Sequence, residues 1–197
     1  MKEMNVLIAD DDALIRMDLR TVLEELGHSV VAEAAGGYEA IRLARQVRPS
    51  VAILDVRMPN GSGLEAASAM SRERLCPVVL LTAYSEAPLV EEANKAGVLA
   101  YLVKPFSERE LMPTLEVAIA RFRELLAVET ELESLAEKRA AEDAVQRAAA
   151  YLSRQHTISR AEALRRMEAR RVSSGKSLRE VAEAILLIAG INTPTTG

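Results

Sequence analysis

The sequence predicts an α/β fold, a doubly wound five-stranded parallel sheet, followed by a coiled-coil helix and a small three-helix domain. Three observations lead there. Over the first 105 residues, five short runs rich in Val, Ile and Leu alternate with longer amphipathic stretches, the pattern of strands buried on both faces beneath helices. Residues 114–174 contain no Gly or Pro, and apolar residues recur there in steps of three and four. Beyond Glu142 that spacing breaks into three short helical patterns.

The five runs are residues 5–9, 29–34, 51–55, 78–82 and 99–103, with helical patterns between them such as 14–26 and 64–75. Strand followed by helix, five times over, points to a parallel sheet. Next, Leu111, Leu115, Ala118, Phe122 and Leu125 step by 4, 3, 4 and 3, and after one slip Val128, Leu132 and Leu135 step by 4 and 3. This is a coiled-coil seam of roughly three and a half heptads. The competing reading is a long solvated helix lying on its own domain. Of the three short helices, Val145, Ala148, Ala149 and Leu152 line the first, Ala163, Leu164 and Met167 the second, and Leu178, Val181, Ala182, Ile185 and Ile188 the third. Ser107 with Glu110, Ser159 with Glu162 and Ser177 with Glu180 have capping-box spacing and mark helix starts. The resulting plan is a first domain over 1–122, a long helix over 107–142 that overlaps it, a three-helix domain over 143–190 and a flexible tail over 191–197.

Composition narrows the class. Of the 197 residues, 49% are hydrophobic, enough for a core and too many for a disordered chain. Only 3% are aromatic and there is no Trp, so aliphatic packing carries the fold. The one cysteine, Cys76, excludes an internal disulfide, and no Cys/His cluster has zinc spacing. Neither a signal peptide nor an apolar run approaching the length of a membrane span is present, which predicts a soluble cytoplasmic protein. Charge is unevenly spread. Residues 1–120 carry 12 Lys and Arg against 18 Asp and Glu, a net of −6, whereas residues 144–179 carry 9 against 2, a net of +7. An acidic first domain and a basic block near the end imply different partners.

In a sheet of this kind functional groups gather at the carboxyl ends of the strands. Asp10, Asp11 and Asp12 follow the first strand, Asp55 ends the third, Thr82 ends the fourth, and Lys104-Pro105 follows the fifth. Carboxylates from two strand ends repel and need a cation. With oxygen donors only, that cation is Mg²⁺. A hydroxyl and an ammonium suit phosphate oxygens. Together these groups make a site for forming and hydrolysing an acyl phosphate. Taken singly, each piece has a bland reading, the acidic triplet as a solvated loop or helix cap and Lys-Pro as a turn.

The segments VLIADDDALIR, VAILDVRMPNGSGLE, VVLLTAYS and AYLVKPF resemble, in order, the signature blocks of the receiver domain of two-component response regulators, over residues 4 to about 122. The resemblance implies a flavodoxin-like fold, Asp55 as phosphoacceptor and a sensor histidine kinase as donor. It makes the chain a phosphoacceptor regulator rather than an enzyme. It further implies that Asp11, Asp55 and the backbone carbonyl of Arg57 bind Mg²⁺, with Asp10 acting through water. Thr82 and Lys104 would hold phosphoryl oxygens, the Lys104-Pro105 bond would be cis, and Tyr101 would be the aromatic switch. Arg57 and Tyr84 flank the site, where they could admit or exclude water.

For the output region three readings stand. The first is RNA. The basic block attracts phosphates, and Arg147, Tyr151 and Arg154 share a helical face with a stacking ring between two cations. Arg165, Arg166, Arg170, Arg171 and Lys176 extend the patch, and His156 beside Arg154 could join it. AVQRAAAYLSRQHTISRAEALRRM followed by SLREVAEAI resembles the ANTAR family of RNA-binding antiterminators. That resemblance implies a homodimer on phosphorylation and binding to paired RNA hairpins in leader transcripts. Where that family usually reads Ala-Lys-Gly, this chain has Ala148-Ala149-Ala150. The second reading is a DNA-binding helix-turn-helix begun by SLREVAEAI, although only residues 190–197 follow it. The third is a dimerisation or protein-docking module that binds no nucleic acid. Cys76 and His28 read as structural.

Overall fold

The computed structural model of the chain describes residues 3–83 and 95–191. Tyr84 and the tail over 192–197 lie outside them. The chain divides into two compact units, 1–126 and 127–197.

In the first unit the strands are β1 (Asn5–Ala9), β2 (Ser29–Ala34), β3 (Val51–Asp55), β4 (Val78–Thr82) and β5 (Ala100–Val103). They form one parallel sheet in the order β2-β1-β3-β4-β5. Side chains alternate across it, because a strand has a period of two. Leu7, Ala9, Ala52, Leu54, Val78 and Leu80 pack on one face under α2 (Gly37–Val47) and α3 (Gly63–Arg72). Val6, Ile8, Val51, Ile53, Val79 and Leu81 pack on the other, with α1 (Ala13–Glu25) and the start of α4 (Glu108–His156). Ala40, Ala44, Ala66 and Ala67 are fully buried, small residues that let α2 and α3 lie close to the sheet. Cys76 joins this same core, and burial pushes its thiol up to about 12.

Several boundaries differ from the sequence reading by one to three residues. β5 starts at Ala100, with Leu99 half-buried ahead of it. α1 starts at Ala13 because Asp12 caps it, its Oδ1 accepting the Leu14 N–H at 2.8 Å. α3 ends at Arg72, and Arg74 turns left-handed at φ 51° before Leu75 enters the core.

The long helix corrects two expectations. Leu111, Leu115 and Ala118 are fully buried against the sheet, so the first half of the predicted seam belongs to the core of the first unit. Steps of three and four serve helix-on-sheet packing as well as helix-on-helix packing. The apolar stripe reaches the surface from Leu125 onward, where Leu125, Val128, Leu132 and Leu135 are 41–60% exposed. Nor is the first of the three short helices separate. With no Gly or Pro to stop it near Glu142, α4 continues to His156, and Thr157 ends it in the left-handed region at φ 51°.

In the second unit the last part of α4 packs with α5 (Arg160–Ser174) and α6 (Leu178–Ile188). Ala144, Ala148, Ala149, Ala163, Met167, Val181, Ala182 and Leu186 form its core. Ser159 caps α5, Gly175 closes it at φ 69°, and Ser177 with Glu180 forms a complete capping box for α6. No helix among the described residues is long and apolar enough to cross a membrane.

Candidate functional site

From β1 the chain crosses to β2 on one side, and from β3 it crosses to β4 on the other. The two neighbouring strands therefore form a switch point, and a crevice opens at their carboxyl ends. Asp10 follows β1 there and Asp55 ends β3. Lys104, directly after β5, reaches the same place: its Nζ donates to Asp10 Oδ2 and to Asp55 Oδ1, both at 2.6 Å. The Lys104 N–H donates to the Thr82 carbonyl at 2.7 Å, and the Lys104-Pro105 peptide bond is cis, as expected.

The three groups are well shielded, with side-chain exposures of 2% for Asp10, 13% for Asp55 and 19% for Lys104. Burial alone would pull the Lys104 ammonium down. The hydrogen bonds and charges of Asp10 and Asp55 together outweigh it, so the group is held above the ordinary lysine value. Asp55 Oδ2 accepts the Arg57 N–H at 2.6 Å and Asp10 Oδ1 accepts the Asp12 N–H at 2.9 Å. Asp11 is exposed, and with Arg57, Met58, Pro59, Ser62 and Leu64 it lines an open depression beside the crevice. Asp12, the third of the triplet, is the cap of α1. Thr82 is buried at the end of β4, and Tyr101 on β5 is 47% exposed.

The donor set suits a hard cation in kind, carboxylate and carbonyl oxygens without imidazole or thiolate. Asp10, Asp11 and Asp55 with Lys104 carry a formal charge of −2, matched to one divalent ion. Among the described residues no trio of His, Cys, Asp or Glu is drawn together at metal-binding distance. The two carboxylates that converge do so on the ammonium.

The sequence reading missed how the loop after Asp55 is held. Gly37 N–H donates to the Gly61 carbonyl and Tyr38 N–H to the Asn60 carbonyl, both at 2.9 Å. A side chain on Gly37 would collide with the Gly61 carbonyl. Asn60 at φ 53° and Gly61 at φ 98° make the turn that allows this. The signal was present in Gly36-Gly37 and in Asn60-Gly61-Ser62-Gly63, two glycine-rich clusters.

The family model for the response regulator receiver domain matches residues 6–116. The chain belongs to the response regulator family. This response regulator is 42% identical over 181 residues to the transcriptional regulatory protein PdtaR of Mycobacterium tuberculosis, covering 92% of this chain and 88% of that one. It is 33% identical over 116 residues to the chemotaxis protein CheY of Listeria monocytogenes, covering 58% and 98%. Among solved structures, chemotaxis protein CheY4 of Vibrio cholerae matches with a TM-score of 0.55 at 30% identity, covering 59% of this chain and 98% of that one. The response regulator domain of Thermotoga maritima CheB gives 0.56 at 27%, covering 60% and 98%. Receiver domains in general require Mg²⁺ for phosphorylation and interact with sensor histidine kinases.

In the second unit of the response regulator the basic residues fall into two groups. Arg165 and Arg166 pair with Glu162, Arg171 with Glu168 and Arg179 with Glu183, each one helical turn away. Arg147 lies 3.6 Å from Asp143. Arg154, Arg170 and Lys176 are exposed and make no ion pair among the described residues. Tyr151 is half-buried but stands outside the apolar cluster of this unit. Ala149, where the ANTAR pattern carries lysine, is fully buried, so that position is not a surface one here.

Proposed function

We propose that Asp55 of this response regulator accepts a phosphoryl group from a histidine kinase and that the modified state promotes dimerisation and RNA-hairpin binding for transcription antitermination. The observation that carries the first part is the Lys104 ammonium, held 2.6 Å from both Asp10 and Asp55 in a shielded crevice. In the transfer, a carboxylate oxygen of Asp55 forms a bond to phosphorus while the bond from phosphorus to the donor atom breaks, and the electron pair leaves with the donor. Asp11, Asp55 and the Arg57 carbonyl would hold Mg²⁺ directly, and Asp10 through water. When bound, that ion offsets charge on the phosphoryl oxygens. Lys104, drawn from its two carboxylates, pairs with one phosphoryl oxygen, and the Thr82 hydroxyl bonds another. Tyr101 then turns inward as Thr82 moves toward the phosphoryl group, a two-state element biased by new charge.

For output, the exposed stripe Leu125, Val128, Leu132 and Leu135 supplies the dimer contact. Arg147, Tyr151, Arg154, Arg170 and Lys176 supply RNA contacts, with Arg165 and Arg171 contributing once released from their carboxylates. The relative named as a transcriptional regulatory protein supports an output at transcription. The paired arginines of α5 favour a second reading, a dimerisation and protein-docking output without nucleic acid. A gel shift of the full chain with a hairpin-pair RNA, with and without beryllofluoride, separates the two. Retardation that strengthens with beryllofluoride is the expected result, and no retardation in either state leaves the docking module.

A further inference from the structure

The main chain of Asp10 is held on both sides, its N–H by β2 and its carbonyl by α1. Its N–H donates to the Ala34 carbonyl at 3.2 Å. Its carbonyl accepts from Arg16 Nη1 at 2.7 Å, and the same nitrogen lies 3.5 Å from the Asp11 carbonyl. Arg16 is a residue of α1, and its Nε is 3.4 Å from Glu33 Oε2 on β2, next to Ala34. Only 18% of the Arg16 side chain is exposed. Neighbouring Arg20 shares Glu33, donating from Nε at 2.7 Å, but its other side-chain partner is Glu24, not the acidic loop.

We propose that Arg16 is a positioning residue for the cation site: through the carbonyls of Asp10 and Asp11 it fixes the main chain that carries the two carboxylates, with Glu33 as its anchor. This rests on the reading that the acidic loop binds Mg²⁺. A guanidinium beside a divalent-ion site is a liability by Coulomb's law alone, since like charges repel. It is tolerated here because it grips the main chain, leaving the carboxylate oxygens to the cation. Planar, forked donors suit one side chain to a carbonyl and a carboxylate at once.

The two roles differ in sign. A bystander cation, once removed, would leave Mg²⁺ binding tighter or unchanged. A positioning residue, once removed, would leave it weaker, since loss of an outer-shell partner typically costs about 10–100-fold in metal affinity. The test is a titration of the ¹⁵N-labelled full chain with MgCl₂, followed by amide shifts, for the native protein and the variants R16A, R20A and E33Q. The expected result is a dissociation constant raised about tenfold in R16A, the low end of that range, raised less in E33Q and unchanged in R20A. An R16A constant equal to or below the native one overturns the proposal. Should R16A give the spectrum of an unfolded chain, E33Q decides: a raised constant supports positioning and an unchanged one overturns it. No shift at all in the native protein overturns the cation reading, and the proposal with it.

Discussion

The Cα of Gly63 lies against the main-chain carbonyl of Asp55, so close that a methyl group at position 63 would overlap that oxygen. Gly63 also opens α3, and its N–H donates to the Val56 carbonyl at 3.0 Å. The end of β3 and the start of α3 are thus one packed unit, and any side chain at 63 must move the candidate phosphoacceptor. Gly63→Ala is expected to cost about 1–3 kcal/mol of stability, the usual cost of overpacking, and to slow phosphorylation. Thermal melting and a phosphorylation time course check it. An unchanged value in both would mean that the loop gives way freely.

Asp55→Asn is expected to abolish phosphorylation by small donors, since an amide is not a competent nucleophile. Intact mass after incubation with acetyl phosphate and Mg²⁺ reads the result directly. A variant that still gains a phosphoryl mass would remove Asp55 from the role.

The raised value of Lys104 gives a pH dependence of defined sign. A cation whose folded-state pKa lies above its unfolded value adds stability that is fully present below the unfolded value, and that stability is lost as pH rises through the folded one. Melting temperature should therefore fall in the alkaline range by more in the native protein than in Lys104→Met. Parallel curves for the two proteins would show that the bridge adds no net stability.

The two halves of the apolar stripe should respond differently to substitution. Leu115→Ala, inside the receiver core, is expected to cost about 2–5 kcal/mol of stability. Leu132→Glu, on the exposed stretch, should leave the melt nearly unchanged and prevent the mass increase that light scattering is expected to report with beryllofluoride. A dimer that survives Leu132→Glu would place the contact elsewhere.

On the basic face, Tyr151→Ala is expected to weaken RNA binding by about 1–3 kcal/mol, the worth of one base–aromatic stack, with little change in salt slope. Arg154→Ala should weaken binding across sequences and lower the salt slope by somewhat under one unit. Melting of the variants is the control, since Tyr151 stands outside the apolar cluster. Loss of fold in Tyr151→Ala together with unaltered binding in Arg154→Ala would exclude this face.

Much of the first unit was legible because buried parallel strands leave a compositional mark. The runs that became β1 to β4 match residue for residue, and of the strand-end groups Asp10, Asp55 and Lys104 meet. Periodicity was less informative for α4, where one spacing describes two kinds of packing and only burial distinguishes Leu115 from Leu132. The grip of Arg16 on Asp10 left no mark, since an arginine on an amphipathic helix has the same spacing whether it faces water or a carbonyl. Nor did the sequence disclose which cations of the output unit are neutralised, because Glu162 lies within reach of two arginines and position alone does not say which it takes.

Cys76 has a practical consequence. Held in the core with its thiol pushed up to about 12, it rarely offers the thiolate that maleimides and oxidants attack. A second cysteine introduced at an exposed position, as in Leu132→Cys, would carry nearly all the reactivity of the chain. Spin labels or fluorophores can then be attached there with the native thiol left in place, and the spacing between copies followed as the phosphorylation state changes.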